Sequence, residues 1–165
     1  MTVTPFLWFD DQAERAAELY VSIFAGRPGG GQGSSRILEV ARLGEGAPGQ
    51  DGPAMTVEFE LDGQRFTALN GGPGHDFTDA ASFVVSCETQ EEVDHFWDAL
   101  TADGGEAGPC AWLTDRFGLS WQIVPTALPE LLGDPDPGRA QRAMQAMLQM
   151  RKIDIAELRR AAEAA

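Results

Sequence analysis

Positively charged residues are scarce in this sequence. Its 165 residues include only 12 lysines and arginines against 26 aspartates and glutamates, so the formal net charge is -14. Lys152 is the single lysine. A chain with this charge repels both a phosphate backbone and an anionic lipid surface. We therefore expect no nucleic-acid partner and no membrane partner.

Long apolar runs are also missing. No run approaches the ~18 residues that a transmembrane helix needs. The N-terminal residues lack the basic segment followed by an apolar segment that marks a secretory signal. The sequence therefore predicts a cytoplasmic protein. At 165 residues it has the length of one domain, or of one domain made from two duplicated halves.

Cysteine and histidine occur twice each. Cys87 and Cys110 do not make a disulfide framework in a chain of this size, and no motif places a base beside either thiol. We interpret both as reduced thiols at strand ends. His75 precedes Asp76 in a glycine-rich loop, and the pair could bind a metal, transfer protons or simply be solvated. His95 falls on the polar side of a predicted helix, so we expect it at the surface.

Two stretches of the chain resemble each other. Residues 4–24, TPFLWFDDQAERAAELYVSIF, return in outline as residues 80–100, AASFVVSCETQEEVDHFWDAL. With one constant offset, the aligned pairs are Leu7 with Phe83, Phe9 with Val85, Ala17 with Val93, Tyr20 with Phe96 and Phe24 with Leu100. Each copy is a short apolar run followed by an amphipathic helical pattern. A repeat at this level predicts a duplicated module.

The first module is predicted to contain a strand, a helix and three further strands. Asp11 is expected to cap the helix, because Glu14 stands at the capping-box spacing. The predicted strands are residues 5–9, 36–43, 55–61 and 64–70, with Asp62-Gly63 as a hairpin turn. The glycine-rich stretches 26–35 and 44–53 are interpreted as flexible connections. A phosphate-binding loop is disfavoured for two reasons. The first stretch is followed by a strand pattern, whereas such a loop opens a helix, and no Gly-Lys-Ser/Thr element is present.

The second module repeats this order and is followed by a tail without a counterpart. Thr89 and Glu92 form a capping box for its helix. Its predicted strands are residues 81–87, 111–114 and 117–124, with a further one near 108–111. In the tail, Asp136 is expected to cap one helix and Asp154 another. An apolar stripe of Ala140, Met144, Met147 and Leu148 lines the first of these helices and is interpreted as packing and subunit contact.

These modules resemble the units of the vicinal oxygen chelate superfamily, which includes glyoxalase I and the extradiol dioxygenases. The amino-acid sequence of these segments is most similar to the PhnB-like branch labelled demethylubiquinone methyltransferase-type. The matching segments are residues 4–24, FELDGQRFTALNGGP at 59–73, residues 82–100, WLTDRFGLSWQIVPTALPELLGDPDP at 112–137 and AQRAMQAMLQMRKIDIAELRRA at 140–161. The two glycine-rich stretches are longer than is usual in that branch.

The resemblance implies an α+β fold in which two repeated βαβββ modules form a curled mixed sheet around a pocket, commonly completed in a homodimer. Residues 1–125 are expected to form the glyoxalase-like domain, with modules at about 1–73 and 80–125. Residues 126–165 are expected to form a C-terminal helical extension that contacts a second copy of the chain.

The resemblance also locates the metal ligands of the superfamily. Carried onto this sequence, those positions fall near Thr4, Asn70, Ala80 and Gln122. Zinc, iron and nickel prefer imidazole or carboxylate ligands, and this set offers neither. We therefore predict no metal site and no cofactor.

The same resemblance, combined with strand alternation, predicts a ligand pocket. If Gln122 faces inward, every second residue of its strand shares that face, and Leu119, Trp121 and Ile123 pack under the helices. The predicted pocket residues are Thr4, Phe6, Trp8, Phe66, Ala68, Asn70, Ser82, Val84, Ser120 and Gln122. Such a wall suits a small, flat or hydrophobic molecule held by two or three hydrogen bonds. The alternative is that these aromatic residues fill a closed core.

Three functions are consistent with these observations. The first is a protein that binds a small molecule without the usual metal centre. The second is an enzyme of the same superfamily: a metal-dependent isomerase, lyase or dioxygenase, or a methyltransferase as the family label suggests. No glycine-rich strand-to-helix loop of the Rossmann type supports methyl transfer. The third is an interaction module built on the methionine-rich tail. No residue is nominated as catalytic.

Overall fold

The computed structural model describes residues 3–30, 34–42 and 52–164. The chain consists of two compact units, Met1–Asp76 and Phe77–Ala165. Residue 43 of the predicted second strand and parts of the two predicted flexible connections, 31–33 and 44–51, lie outside the described residues. No helix in the described ranges is long and apolar enough to cross a membrane.

The first unit is a four-stranded mixed sheet with one helix. Its elements are β1 (Phe6–Phe9), α1 (Ala13–Ala25), β2 (Arg36–Arg42), β3 (Ala54–Leu61) and β4 (Gln64–Asn70). The strand order is β1-β4-β3-β2, with β1 parallel to β4 and the other neighbours antiparallel. The predicted order of strand, helix and three strands is confirmed.

Helix α1 packs against one face of this sheet. Tyr20 on α1 is 1% exposed, and its ring centroid lies 6.2 Å from that of Phe59 on β3. Phe59 in turn stacks on Phe66 of β4 at 5.2 Å. Each such side chain contributes about 1.5–3 kcal/mol when it is buried instead of exposed. This aromatic cluster holds the helix on the sheet.

The cap of α1 differs from the predicted one. The N-cap is Gln12, and its side chain makes no capping hydrogen bond. The predicted Asp11–Glu14 capping box is wrong, because the first helical N–H, that of Ala13, donates to Asn70 Oδ1 at 2.7 Å. Glu14 instead forms an ion pair with Arg42. The helix start is therefore capped from the end of β4, a contact that local spacing does not reveal.

The second unit repeats the first and adds three helices. Its elements are β5 (Ser82–Cys87), α2 (Gln90–Thr101), a 3-10 turn (Ala102–Gly104), β6 (Glu106–Ala107), β7 (Trp112–Thr114), β8 (Ser120–Pro125), α3 (Ala127–Leu132), α4 (Pro137–Met147) and α5 (Ile155–Glu163). The strand order β5-β8-β7-β6 reproduces that of the first sheet. The α+β fold class with two βαβββ modules is confirmed.

Three helix caps of the second unit agree with the sequence prediction, and one strand differs from it in position. The capping box of Thr89 and Glu92 is present in full. Asp136 and Asp154 accept hydrogen bonds from the first turns of α4 and α5, as predicted. The predicted position of the further strand, near 108–111, is wrong. The strand lies at Glu106–Ala107, and residues 110–111 form the turn that follows it.

The helical extension packs on the second sheet. Ile153 and Leu158 have no exposed surface, and together with Ala111 of the β6–β7 connection they belong to one apolar cluster. The remaining fully or largely buried members are Leu128, Ala143 and Ala162. On the outer side of α4, Met144 is 41% exposed, and Leu148, the C-cap residue just after the helix, is 55% exposed. Part of the predicted apolar stripe therefore faces solvent in the single chain.

The single lysine fastens this extension to α2. Lys152 Nζ lies 2.9 Å from Asp94 Oδ1 and 3.3 Å from Asp98 Oδ1. The hydrogen bond from Lys152 lowers the pKa of Asp94, and the hydrogen bond to Asp94 raises the pKa of Lys152. Both shifts favour the charged forms, so the ion pair is present across the neutral pH range.

Candidate functional site

One face of the second sheet carries polar and apolar side chains together. Ser82 is paired with Ser120 and Val84 with Gln122 across parallel strands, so these four predicted residues share one face. Gln122 Nε2 donates to Ser82 Oγ at 2.9 Å. Val84 is 57% exposed, whereas Ser120 is only 3% exposed. The opposite face carries Trp121 and Ile123, which are buried as predicted.

Two further residues of this face were missed by the sequence prediction. Trp112 on β7 pairs with Gln122, and Thr114 pairs with Ser120. The sequence could have identified both residues, because an antiparallel hairpin keeps paired residues on one face of the sheet. Extending the alternation of β8 across the turn at Asp115 would have identified both residues.

These residues line a pocket of about 330 Å³. Its walls are formed by Asp79, Gly108, Pro109, Trp112, Leu113, Thr114 and Ser120. An indole, two hydroxyl groups and an exposed carboxylate therefore surround one space. Of the residues predicted from the sequence, only Ser120 is part of this wall. The volume is that of a site for a small organic molecule.

A buried carboxylate shapes the turn between β7 and β8. Asp115 is 3% exposed. Its Oδ1 accepts hydrogen bonds from the backbone N–H groups of Phe117 at 2.8 Å and Leu119 at 3.1 Å, and its Oδ2 accepts one from Trp121 Nε1 at 2.8 Å. These bonds fix the register that brings Thr114 opposite Ser120, and they satisfy a group that would otherwise be costly to bury.

In the first sheet the predicted common face is wrong for the fourth strand. Leu7 pairs with Ala68, and Trp8 pairs with Leu69. Phe66, Ala68 and Asn70 therefore lie on the face that α1 covers, opposite to Phe6 and Trp8. Phe66 is 6% exposed and Ala68 is fully buried. The prediction assumed that the family positions near Thr4 and Asn70 share one face, and the parallel register separates them.

The remaining residues of the predicted wall are only partly available. Phe6 is 60% exposed, and Thr4 is exposed just before β1. The indole of Trp8 donates from Nε1 to Gly72 O at 2.8 Å, and its ring centroid lies 4.6 Å from that of His75. A Cβ atom on Gly71 would come within 2.2 Å of that indole, so only glycine fits there. His75 therefore packs on Trp8.

The family's metal positions do not fit a metal in this chain. Asn70 uses both ends of its amide, since Oδ1 accepts from Ala13 N and Nδ2 donates to Ala54 O at 2.9 Å. Thr4 and Gln122 offer only neutral oxygen, and Ala80 has no donor atom. Within residues 3–30, 34–42 and 52–164, no group of three or more His, Cys, Asp and Glu side chains could hold an ion. His75 and Asp76 thus lack a third such ligand in this part of the chain.

Comparison with protein families identifies the chain. The family model described as 3-demethylubiquinone-9 3-methyltransferase matches residues 1–124. The chain belongs to this PhnB-like family. The solved PhnB protein of Bacillus cereus, a candidate 3-demethylubiquinone-9 3-methyltransferase, is 33% identical to this PhnB-like chain, with a TM-score of 0.61. The match covers 76% of this chain and 100% of that chain.

More distant structures share the fold of this PhnB-like protein. Protein PA1353 from Pseudomonas aeruginosa is 17% identical, covers 76% of this chain and 97% of that chain, and has a TM-score of 0.58. The fosfomycin resistance protein FosX from Listeria monocytogenes is 15% identical, covers 79% and 96% of the two chains, and has a TM-score of 0.51. These likenesses show a shared fold. No curated protein matches.

The family match ends before the helical extension. It stops at residue 124, whereas α3, α4 and α5 span residues 127–163. The likeness of the tail to the PhnB-like branch, expected from its sequence, is therefore not part of the family match. The extension is an addition to the module pair that the family model describes.

Proposed function

We propose that this PhnB-like protein binds a small, partly aromatic or hydrophobic molecule on its second sheet, without the usual metal centre of the superfamily. The observation that carries the proposal is the pocket of about 330 Å³ beside Trp112, Thr114 and Ser120. An indole face provides apolar contact for a flat ligand, and neighbouring hydroxyl groups orient it by hydrogen bonds.

The charges of the site narrow the ligand class. Asp79, at the pocket, is exposed and acidic, and the whole chain carries a formal charge of -14. An anionic molecule is repelled by this field, whereas a hydroxyl or amino group can donate to the carboxylate. We therefore favour a neutral or cationic aromatic molecule with a donor group at one end.

The experiment is a ligand titration with 1-naphthol, a neutral aromatic alcohol, followed by amide NMR spectroscopy. Wild-type protein should show shifts of the amide signals of residues 108, 110–114 and 120. Trp112→Leu should weaken binding about tenfold, and Thr114→Val several-fold, as expected for a lost aromatic contact and a lost hydrogen bond. Thr67→Val, on a strand of the first unit, is the matched control and should bind as wild type.

Shifts confined to the first unit would disprove this assignment. So would unchanged affinity in both Trp112→Leu and Thr114→Val. A broader thermal-shift screen of neutral and cationic aromatic metabolites would then identify the natural ligand, and Gln122→Ala would test whether the hydrogen-bonded Gln122–Ser82 pair contributes to the wall.

The alternative proposal is an enzyme of the same superfamily, and the family description favours methyl transfer. The strand-to-helix connections Asp10–Gln12 and Glu88–Thr89 contain no glycine and several acidic residues, unlike the loops that hold the cofactor of Rossmann-type methyltransferases. Calorimetry with S-adenosylmethionine decides: binding with one-to-one stoichiometry would support methyl transfer. One metal ion per chain retained through dialysis would instead support a metal-dependent isomerase, lyase or dioxygenase.

We also propose that the protein forms a homodimer through the outer side of α4. Met144 and Leu148 leave an apolar surface there, and methionine side chains adapt well to a partner surface. A second copy of the chain would cover this surface.

A further inference from the structure

The connection between β6 and β7 is a strained turn. Cys110 and Ala111 have φ angles of 53° and 74°, and Trp112 N donates to Pro109 O at 3.1 Å to close the turn. Positive φ at both central residues is the signature of a type I′ turn, which favours Asn-Gly or Asp-Gly. Neither cysteine nor alanine favours this conformation.

The same chain contains a relaxed turn of this kind. Asp62 and Gly63, between β3 and β4, have φ angles of 47° and 86°. Asp-Gly is a residue pair that such a turn prefers, so that turn forms from its own sequence. The Cys110–Ala111 turn must be held by its surroundings, because a strained backbone persists only where other contacts determine it.

Those contacts come from residues 150–153 of the extension, which we call the strap. Cys110 N donates to Met150 O at 2.9 Å, and Ala111 N donates to Arg151 O at 2.9 Å. Two successive amides of the turn thus bind two successive carbonyls of the strap. On its other side, Ala111 O accepts a hydrogen bond from Ile123 N at 2.9 Å. Ala111 is fully buried between these partners.

The strap is fixed in turn by α2. Gln90 Nε2 donates to Ile153 O at 3.1 Å, and Gln90 Oε1 accepts from Ile155 N at 2.9 Å. Lys152 is held by Asp94 and Asp98 on the same helix. A single glutamine therefore binds the backbone on both sides of Asp154, and a lysine fixes the middle of the strap.

The turn is also part of the pocket, because Pro109 and Trp112 at its two ends both line it. We propose that the strap is a positioning element for this pocket, in which Gln90 and Lys152 act through the Cys110–Ala111 turn to hold Trp112 in place. Without the strap carbonyls the amides of Cys110 and Ala111 lose their acceptors, and the backbone of the turn relaxes toward negative φ. The indole that follows the turn then loses its fixed position.

The proposal has two parts that can fail separately. That the strap holds the turn and the Trp112 indole is independent of any ligand. That this arrangement serves binding rests on the proposed function of the pocket. The experiment therefore includes readouts with and without 1-naphthol.

The test compares wild type with the variant Gln90→Ala/Lys152→Ala. Amide hydrogen exchange at Cys110 and Ala111 should be about tenfold faster in the variant, because the acceptors of both amides are loosened. The fluorine NMR signal of 5-fluorotryptophan at Trp112, assigned through Trp112→Phe, should shift or broaden. Gln64→Ala is the matched control, because Gln64 also donates to a backbone carbonyl, that of Arg65, but in the first unit.

A rescue variant separates positioning from general destabilisation. Adding Cys110→Asn and Ala111→Gly gives the turn a sequence that prefers its own conformation. The Trp112 signal should return to its wild-type position, although the strap remains loosened. If the double variant does not fold, Gln90→Ala alone is judged by the same readouts.

Unchanged exchange at Cys110 and Ala111, or a Trp112 signal that the Asn-Gly turn does not restore, would overturn the positioning role. Where wild type binds 1-naphthol, equal affinity in the loosened variant would overturn the link to the pocket. Where wild type does not bind it, the proposed function for this probe fails, and the strap is decided by exchange and fluorine NMR alone.

Discussion

Cys87 is a thiol whose burial makes it unreactive at neutral pH. It has no exposed surface. Burial, and then the negative charge of Glu92, raise its pKa from 9.0 to about 12. A buried thiol packs as a small apolar side chain, and the thiolate that would act as a nucleophile is suppressed. Any role for Cys87 is therefore in packing.

The same pKa predicts a loss of stability in alkali. The folded state holds the Cys87 proton up to about pH 12, whereas the unfolded chain releases it near pH 9. The stabilisation is thus complete below pH 9 and fades as the pH rises from 9 to 12, by up to about 1.4 kcal/mol per pH unit. Urea unfolding at pH 8 and pH 10.5 should show a larger loss for wild type than for Cys87→Ala. Equal losses in the two proteins would contradict the assignment.

For some residues of the candidate site, the sheet face that each occupies could be predicted from the sequence, and for others it could not. Ser82, Val84, Ser120 and Gln122 were assigned to one face correctly, because alternation within a strand is local. Phe66 and Ala68 were assigned to the wrong face, because their orientation depends on the register between β1 and β4. Trp112 was missed because its pairing across a hairpin was not followed.

At the level of elements, the two equivalent helices begin with different caps. Helix α2 uses its own Thr89 and Glu92, a spacing that the sequence displays. Helix α1 uses Asn70, which is distant in sequence and close in space. Strands and helices could thus be predicted from periodicity, whereas a cap supplied by another strand could not. The left-handed Cys110–Ala111 turn was equally hidden, because its residues carry no turn signal.

The remote cap of α1 leads to a prediction for stability. Asn70→Ala removes the acceptor of Ala13 N–H and the donor to Ala54 O, so we expect a loss of about 2 kcal/mol in the free energy of unfolding. Asn70→Asp keeps an acceptor at the helix N-terminus and should lose less. Denaturant titration of both variants provides the measurement. An alanine variant as stable as wild type would show that Gln12 or water replaces the cap.

At the level of the whole molecule, the duplicated modules could be predicted from the sequence, whereas the surface that the C-terminal extension packs against could not. The repeat in the sequence predicted two modules of the same strand order, and the structure has them. The extension was predicted to provide both packing and subunit contact, and its inner side forms an apolar cluster with Ala111. Amphipathic spacing in α4 identified an apolar side but could not tell whether the chain itself or a second copy covers it.

These two roles of the extension can be separated by two changes. Removal of residues 140–165 takes away Ala143, Ile153 and Leu158, which are fully buried, so we expect a destabilised or insoluble chain. Met144→Glu/Leu148→Glu changes only exposed side chains and should keep the fold while converting a dimer to a monomer. Circular dichroism and light scattering measure the two outcomes. A truncated chain that stays a folded dimer would refute both roles, and a double variant that stays dimeric would refute the contact through α4.

The position of the single lysine has a practical consequence. Lys152 is the only ε-amine in the sequence, and its ion pairs with Asp94 and Asp98 keep it protonated while the strap is docked. Acylating reagents require the neutral amine, so they should modify this side chain slowly in the native state and faster when the strap detaches. Acylation removes the charge that holds the strap, so the informative quantity is the rate of acylation of Lys152 itself, which mass spectrometry of the peptide containing it measures and which follows docking of the extension.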